Sequence, residues 1–466
     1  MSVHVGNAET APSFAEGAHI ALQNEQLRRN VVYATDVIQA KRRERAAELP
    51  DWEDLRAAGH DIKQHTLAYL DVYLAQFEKN FTAAGGKVHW ARHADEAAAI
   101  VQSIITARAA TEAVKVKTMT SAEIRLNETL EAAGIAAIET DLAELIVQLG
   151  KEQPSHIVAP AIHINREQVR DIFERNMPLR ELGIASVTAE PHDLAEAARR
   201  YLRHKFLTVS VGISGANFAV AETGSLVIVE SEGNGRMCLT LPDVLISLVG
   251  IEKIIPRFRD LEVFLQTLPR CASGERMNPY NSIWTGVTPG DGPQEVHVVL
   301  IDNGRTNVLA EPEAADTLNC IRCGACLNAC PVYHQTGGHA YGSVYSGPIG
   351  AILTPQLFHL AHARSLPYAS SLCGACYEAC PVQIDIPEIL LFLRAKIVRE
   401  EGMSLEKLAM QAIGMVFRSA GLFSAAEKFA RFAPASTGAL SAWTRTRDLP
   451  EIPKQSFREW WRETKS

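Results

Sequence analysis

No run of about 18 uncharged apolar residues occurs in this 466-residue chain, so the length that a membrane-spanning helix requires is missing. The most apolar stretches, "LPDVLISLVGIEKII" and "EILLFLRAKIV", are short and carry charges. The opening "MSVHVGNAETAPSF" is polar and lacks the charged-then-apolar order of an export signal. These features read as a cytoplasmic protein that meets a membrane only through a partner. Excess positive charge is also missing. The formal net charge is −8, which argues against a general nucleic-acid binder. There is no P-loop and no compact Ser/His/Asp or H-E-x-x-H pattern. "VGISGANFAV" offers only G-x-x-G, short of a dinucleotide fingerprint.

The pattern that is present points to two or three domains. Residues 1–69 read as an N-terminal helical segment, and "HTLAYLDVYLAQFEKNF" has apolar residues at helical spacing. Residues 70–305 read as an α/β domain with a largely parallel or mixed sheet. Its helices include "DEAAAIVQSIITARAATEA", and its strands are expected at "AVKVK", "IAAIE", "HIVAPAI", "ANFAVAETGSLVIVESEG" and "EVHVVLID". Thr120 and Glu123 have the spacing of a capping box ahead of "IRLNETLEAAG". Residues 306–400 form a cysteine-rich segment with "PQLFHLAHARSL" read as helix-like and "IPEILLFLRAKIVREEG" as helical. Residues 401–466 form a helical tail ending in "LPEIPKQSFREWW", which suits a strap laid over another surface.

Seven of the nine cysteines lie in two runs, "CIRCGACLNACP" from Cys320 and "SSLCGACYEACP" from Ser370. The spacing C-x2-C-x2-C-x3-C-P is that of two-cluster ferredoxins, in which the fourth cysteine of each run ligates the other cluster. Cross-ligation assigns Cys320, Cys323, Cys326 and Cys380 to cluster one. It assigns Cys330, Cys373 and Cys376 to cluster two, with Ser370 at the fourth corner. That corner is open to several readings: a serine alkoxide, water or a partner's group on the iron, or an empty corner in a 3Fe–4S cluster. Rescue by Cys238 or Cys271, or approach of His334 or His339, is a further option. Zinc, which also uses paired CxxC, is the competing metal. A purely structural role for the clusters is the competing purpose.

"AETGSLVIVESEGNGR" places Glu222, Glu230, Glu232 and a glycine loop close together in sequence, with Arg236 inside the loop and Arg305 in a second "NGR". Backbone N–H groups of such loops bind anions, and arginine adds a fork of donors. The competing reading is a pair of hairpin turns with solvated charges.

Taken together, "CIRCGACLNACPVY", "GPIG", "SLCGACYEACPVQIDIPEIL", "AETGSLVIVESEGNGR", "GIEKIIP" and "EVHVVLIDNGR" resemble the lactate-utilisation iron–sulfur protein family over most of the chain. The resemblance implies a LUD domain similar in fold to the NagB/RpiA/CoA-transferase group, followed by a mainly helical ferredoxin-like segment. It implies two 4Fe–4S clusters, the second with three cysteine ligands or a 3Fe–4S core. It also implies an electron-transfer subunit for L-lactate oxidation to pyruvate, with a cysteine-rich partner and a second LUD protein. The rival function is a LUD-like domain that is itself catalytic on an acyl or carboxylate substrate, with Glu222 as nucleophile or base. A third reading is an assembly scaffold.

Overall fold

Six parallel strands form the main sheet, in the order β1-β10-β7-β4-β2-β3. They are β1 (Lys87–Ala91), β2 (Glu112–Lys115), β3 (Ala136–Glu139), β4 (Val211–Gly215), β7 (Val244–Gly250) and β10 (Glu295–Ile301). A second sheet, β8-β5-β6-β9, combines β5 (Phe218–Val220), β6 (Ser225–Glu230), β8 (Ile254–Ile255) and β9 (Tyr280–Trp284). The computed structural model describes residues 12–432 and 453–465. The polar first residues and most of the segment before "PKQSFREWW" lie outside them.

The period-2 pattern of the central strands explains the layering. In β7, Val244, Ile246 and Leu248 pack into a core with the helix Ala94–Ala107, while Leu245 and Val249 face a second core with Phe77 and Phe81 of the helix Leu70–Ala83. β10 divides in the same way, Val299 and Ile301 against Val296, Val298 and Leu300. Strands buried on both faces read as continuous apolar runs, as parallel strands do. At the β5–β6 turn, Gly224 has φ +65° and a built Cβ would stand 2.4 Å from the Phe81 amide nitrogen. Glycine is therefore required there on both conformational and steric grounds.

Three sequence expectations fail locally. "HIVAPAI" is not a strand but an irregular loop, because His156 Nδ1 accepts the backbone N–H groups of Val158 and Ala159, both at 3.0 Å. Those donors are spent inside the loop and cannot pair in a sheet. Thr120 does not cap a helix. Thr118 caps Met119–Glu123 instead, a new helix begins at Leu126, and Glu123 is buried in an ion-pair network. Of "PQLFHLAHARSL", only Pro355–Leu357 is helical, as the end of Gly347–Leu357.

The chain forms two compact units, Met1–Lys396 and Ile397–Ser466. In the second, the helices Leu405–Phe417, Ala420–Phe432 and Phe457–Lys465 leave Leu405, Phe417, Phe429 and Phe457 exposed. No single described helix is long and apolar enough to cross a membrane. One pair, bent by 116° between Leu405–Phe417 and Ala420–Phe429, passes by joint length and composition.

Candidate metal centre

Both cysteine runs fold alike. Arg322 and Gly324 have φ of 61° and 76°, and Leu372 and Gly374, fifty residues later, have 55° and 84°. Left-handed backbone on either side of a cysteine curls the chain into a tight loop, and for arginine and leucine it costs energy that the surroundings must supply. A five-residue helix follows each loop, Ala325–Ala329 and Ala375–Ala379, and the two helices pack side by side.

This packing brings thiols of the two runs near one another. Cys320 and Cys380 act on Cys323 and on Cys326, and Cys320 acts on Cys380. Cys330, Cys373 and Cys376 form a second set, and Cys326 also feels Cys376. Cys373 is exposed and Cys320 half-buried, whereas the other five are buried. Burial pushes the Cys376 and Cys380 thiols up to about 12 and raises Cys326 and Cys330 as well. Cys323 is raised first by its hydrogen bond to Cys271, then by burial. Backbone amides point at the sulfurs: Arg322 N–H at Cys320 Sγ (3.4 Å), Tyr333 N–H at Cys330 Sγ (3.5 Å) and Ile384 N–H at Cys380 Sγ (3.4 Å). Such donors suit sulfur that carries negative charge.

Ser370 occupies the place of Cys320 in the second loop. Its Oγ accepts the N–H of Leu372 at 3.1 Å, as Cys320 Sγ accepts that of Arg322. The other suggested donors for this corner are committed elsewhere. Cys238 is buried against Thr140, at 3.3 Å, in a core with Val114 and Val209. Cys271 neighbours Cys323 and Cys380 in the first set. His334 Nε2 bonds the Asn328 carbonyl (2.8 Å), and His339 Nε2 the Gln153 carbonyl (2.7 Å).

Side chains far away in sequence hold this arrangement. Arg42 donates to the carbonyl of Ala379 (2.9 Å), and Arg56 to those of Cys380 and Tyr377 (both 2.9 Å). Two buried guanidinium groups thus cap the C-terminal end of Ala375–Ala379, where the helix dipole is negative. His156 Nε2 pairs with Asn328 Oδ1 at 3.0 Å. With Nδ1 accepting two amides, the ring is neutral, and burial pulls its pKa down to about 4.

A buried ionic chain ties the first loop to the α/β part. Arg305 binds Glu123 with both terminal nitrogens (2.8 and 2.9 Å), and its Nε donates to Glu252. Glu252 accepts from Arg322 at 3.1 Å, and its backbone carbonyl accepts Lys63 Nζ. Tyr345 lies beneath the Arg322 guanidinium, 4.9 Å away, and donates to Glu123 at 2.5 Å. The arginines beside Glu252 hold its carboxyl down to about 2 against a larger opposing effect of burial.

The donors of the first glycine loop are taken within the chain. The N–H groups of Gly235 and Arg236 donate to Glu230 (2.7 and 2.6 Å), so the loop holds a carboxylate of its own chain. Arg305 is consumed by the buried chain. Glu222 is exposed and accepts the Phe258 N–H at 2.8 Å. Arg42, Arg56, Lys63 and Glu252 escaped sequence reasoning, because nothing local to them mentions the cysteines.

The donor set fits iron–sulfur clusters: mostly buried thiols in two like-folded loops, amides aimed at sulfur, and buried arginines beside the loops. A cluster takes each of its thiolates on a separate iron.

Comparison with known proteins gives a consistent outline. Residues 74–301 match the LUD domain, 316–384 the 4Fe-4S dicluster domain, and 396–466 the C-terminal family of lactate utilisation protein B. Lactate utilization protein B of Geobacillus sp. is 44% identical over 97% of this chain and 97% of its own length. That of Bacillus subtilis is 43% identical over 96% and 95%. A solved DUF162-family protein from Deinococcus radiodurans covers 50% of this chain and 98% of its own at 14% identity and a TM-score of 0.29, a likeness that carries no argument.

Proposed function

The chain belongs to the lactate utilization protein B family, and from that premise we propose that it relays electrons from L-lactate oxidation through two iron–sulfur clusters. It is an iron–sulfur component of lactate utilisation. The observation that supports the relay reading is the pair of like-folded cysteine loops whose helices pack side by side, with Cys326 near Cys376 of the other run. Cys320, Cys323, Cys326 and Cys380 would hold cluster one. Cys330, Cys373 and Cys376 would hold cluster two, with Ser370 at its fourth corner. A bound cluster supplies one-electron redox chemistry over a wide span of potentials. The chain's own contribution is to bury the sulfurs, aim amides at them, and set Arg322, Arg42 and Arg56 close enough to offset their charge.

We assign residues 1–69 to a helical brace, 70–305 to the LUD domain, 306–400 to the cluster segment and 401–466 to the tail. The α/β part is read as related in fold to the NagB/RpiA/CoA-transferase group. A cysteine-rich electron-transfer protein and a second LUD protein are the proposed partners, with the protein in the cytoplasm. Catalysis by Glu222 gains no support, since that carboxylate is exposed and engaged by a backbone amide.

Cys323→Ser tests the relay. The expected result is loss of lactate-dependent growth and of cluster-one EPR signals, with the α/β sheet intact by circular dichroism. Normal lactate oxidation in a variant shown to lack cluster one ends the proposal.

A further inference from the structure

A cavity of about 220 Å³ opens beside the first cysteine loop. It lies at the carboxyl ends of the parallel strands. Val116 to Met119 follow β2, Asp141 follows β3, Ala216 and Asn217 follow β4, and Lys253 follows β7. Ligands of open α/β sheets bind in this position. Arg322, between Cys320 and Cys323, forms part of the wall. Val158, another wall residue, packs over Gly324, where a built Cβ would stand 3.1 Å from its Cγ2.

The polar groups on the wall are not equivalent. Lys117 Nζ donates to the Val158 carbonyl at 2.6 Å, and Arg322 is paired with Glu252. Lys253 makes no hydrogen bond or close ion pair among the described residues, and Glu252 and Cys320 attract it only from further away. The acids are held by backbone amides: Asp141 by Glu144 N–H, Glu230 by Gly235 and Arg236, Glu232 by Ser231. One ammonium without a hydrogen-bond partner suits a single negative charge. Three fixed carboxylates nearby disfavour a dianion such as phosphate more strongly than a singly charged acid. Their remaining lone pairs, with the amide of Asn234, accept from or donate to a hydroxyl or carbonyl group. Ile157, Val158, Ile228 and Leu268 offer an apolar wall for a short alkyl group. The volume is below the range of roughly 300–1,000 Å³ for drug-sized ligands, so the occupant is small.

We propose that this cavity binds a short 2-hydroxy- or 2-oxo-monocarboxylate, with Lys253 as its carboxylate anchor, against the wall of the first cysteine loop. The choice of lactate or pyruvate as the acid rests on the lactate-utilisation reading; the site itself rests on the cavity.

The test uses full-length protein purified anaerobically with its clusters in place. L-lactate, pyruvate, acetate and inorganic phosphate are titrated calorimetrically into the native protein and into Lys253→Met, with iron content and circular dichroism checked. Saturable binding of L-lactate or pyruvate is expected, with acetate weaker and phosphate absent. Loss of a hydrogen bond to a charged group should weaken binding at least about tenfold in Lys253→Met. Lys253→Gln replaces it if the methionine variant loses iron. No saturable binding of either acid, equal affinity in the variants, or preference for phosphate overturns the site. Absence of binding together with normal cluster-dependent turnover in the presence of partners removes this site and leaves the relay standing. Binding that persists in Cys323→Ser supports the site even if the relay fails.

Discussion

Replacing Arg305 by methionine should break the chain at the point where the α/β sheet meets the first cysteine loop. Arg305 is 1% exposed, and the side chains of Glu123 and Glu252 are as deeply buried. Its guanidinium satisfies Glu123 with two parallel bonds and Glu252 with a third. Methionine fills most of the volume but leaves Glu123 with only Tyr345 and Asn303 as donors. Removing one partner of a buried pair costs about 3–5 kcal/mol, because a charge stays behind without compensation. At about 2.1 cal/mol/K per residue, a cooperative unit of about 400 residues moves by about 1 °C per kcal/mol, so melting should fall by about 3–6 °C.

Two controls make the argument specific. Adding Glu123→Gln to Arg305→Met removes the stranded charge and should recover part of the loss, since neutral replacements of buried ion pairs are often tolerated. Arg305→Lys keeps the charge but loses the fork, so its cost should be intermediate. Melting followed by circular dichroism, with iron released on heating as a second probe, reads both effects. If Arg305→Met melts within 2 °C of the native protein, the ionic chain does not brace the fold and the reasoning is wrong.

Ser370→Cys should supply a fourth thiolate at cluster two, because Ser370 Oγ already receives the amide that Cys320 Sγ receives in the other loop. Iron per chain and the EPR signal of that cluster should change; identical spectra would mean that position 370 is not at the corner. Acid should weaken the fold through His156, whose pKa falls from 6.5 to about 4 on burial. Between those values the unfolded chain binds a proton that the folded chain does not. Stability is therefore complete above pH 6.5 and lost progressively toward pH 4, by about 3 kcal/mol. In urea melts across this range, His156→Leu should lose part of that slope, and an unchanged slope would assign the acid sensitivity to other groups.

Much of the α/β part is legible in the sequence because its strands are short apolar runs set off by glycine. "AVKVK", "IAAIE" and "EVHVVLID" become β2, β3 and β10. β1, β4, β7, β8 and β9 are not among the expected strands; "KVHWA" of β1 is an edge strand with weak alternation. The loop at His156 fails for a different reason, since a side chain took the backbone donors that strand propensity assumes are free. The glycine loop near Arg236 reads correctly as a carboxylate binder, but the carboxylate is Glu230, only five residues before Gly235. Local pattern identifies the chemistry of such a loop and not which acid arrives first. Arg42 and Arg56 lie beyond local reading altogether, as their carbonyl partners are more than 320 residues away.

These distant contacts bear on how the cysteine segment can exist at all. A ferredoxin-like repeat folds alone where its own residues supply the caps and countercharges. Here the end of Ala375–Ala379 is capped by Arg42 and Arg56 from the N-terminal helices. The first loop is pinned through Arg322 to Glu252, and Glu252 is shared with Arg305 at the end of the parallel sheet. The left-handed backbone at Arg322 and Leu372 must be maintained by contacts of this kind. Excising residues 306–396 would strip Arg42 and Arg56 from their carbonyls, part Arg322 from Glu252 and release both strained loops. The cysteine motifs therefore specify the two loops, while the N-terminal helices and the α/β part hold those loops in shape. This division of labour accounts for a single compact unit reaching from the N-terminal helices to Lys396, rather than a separable ferredoxin module.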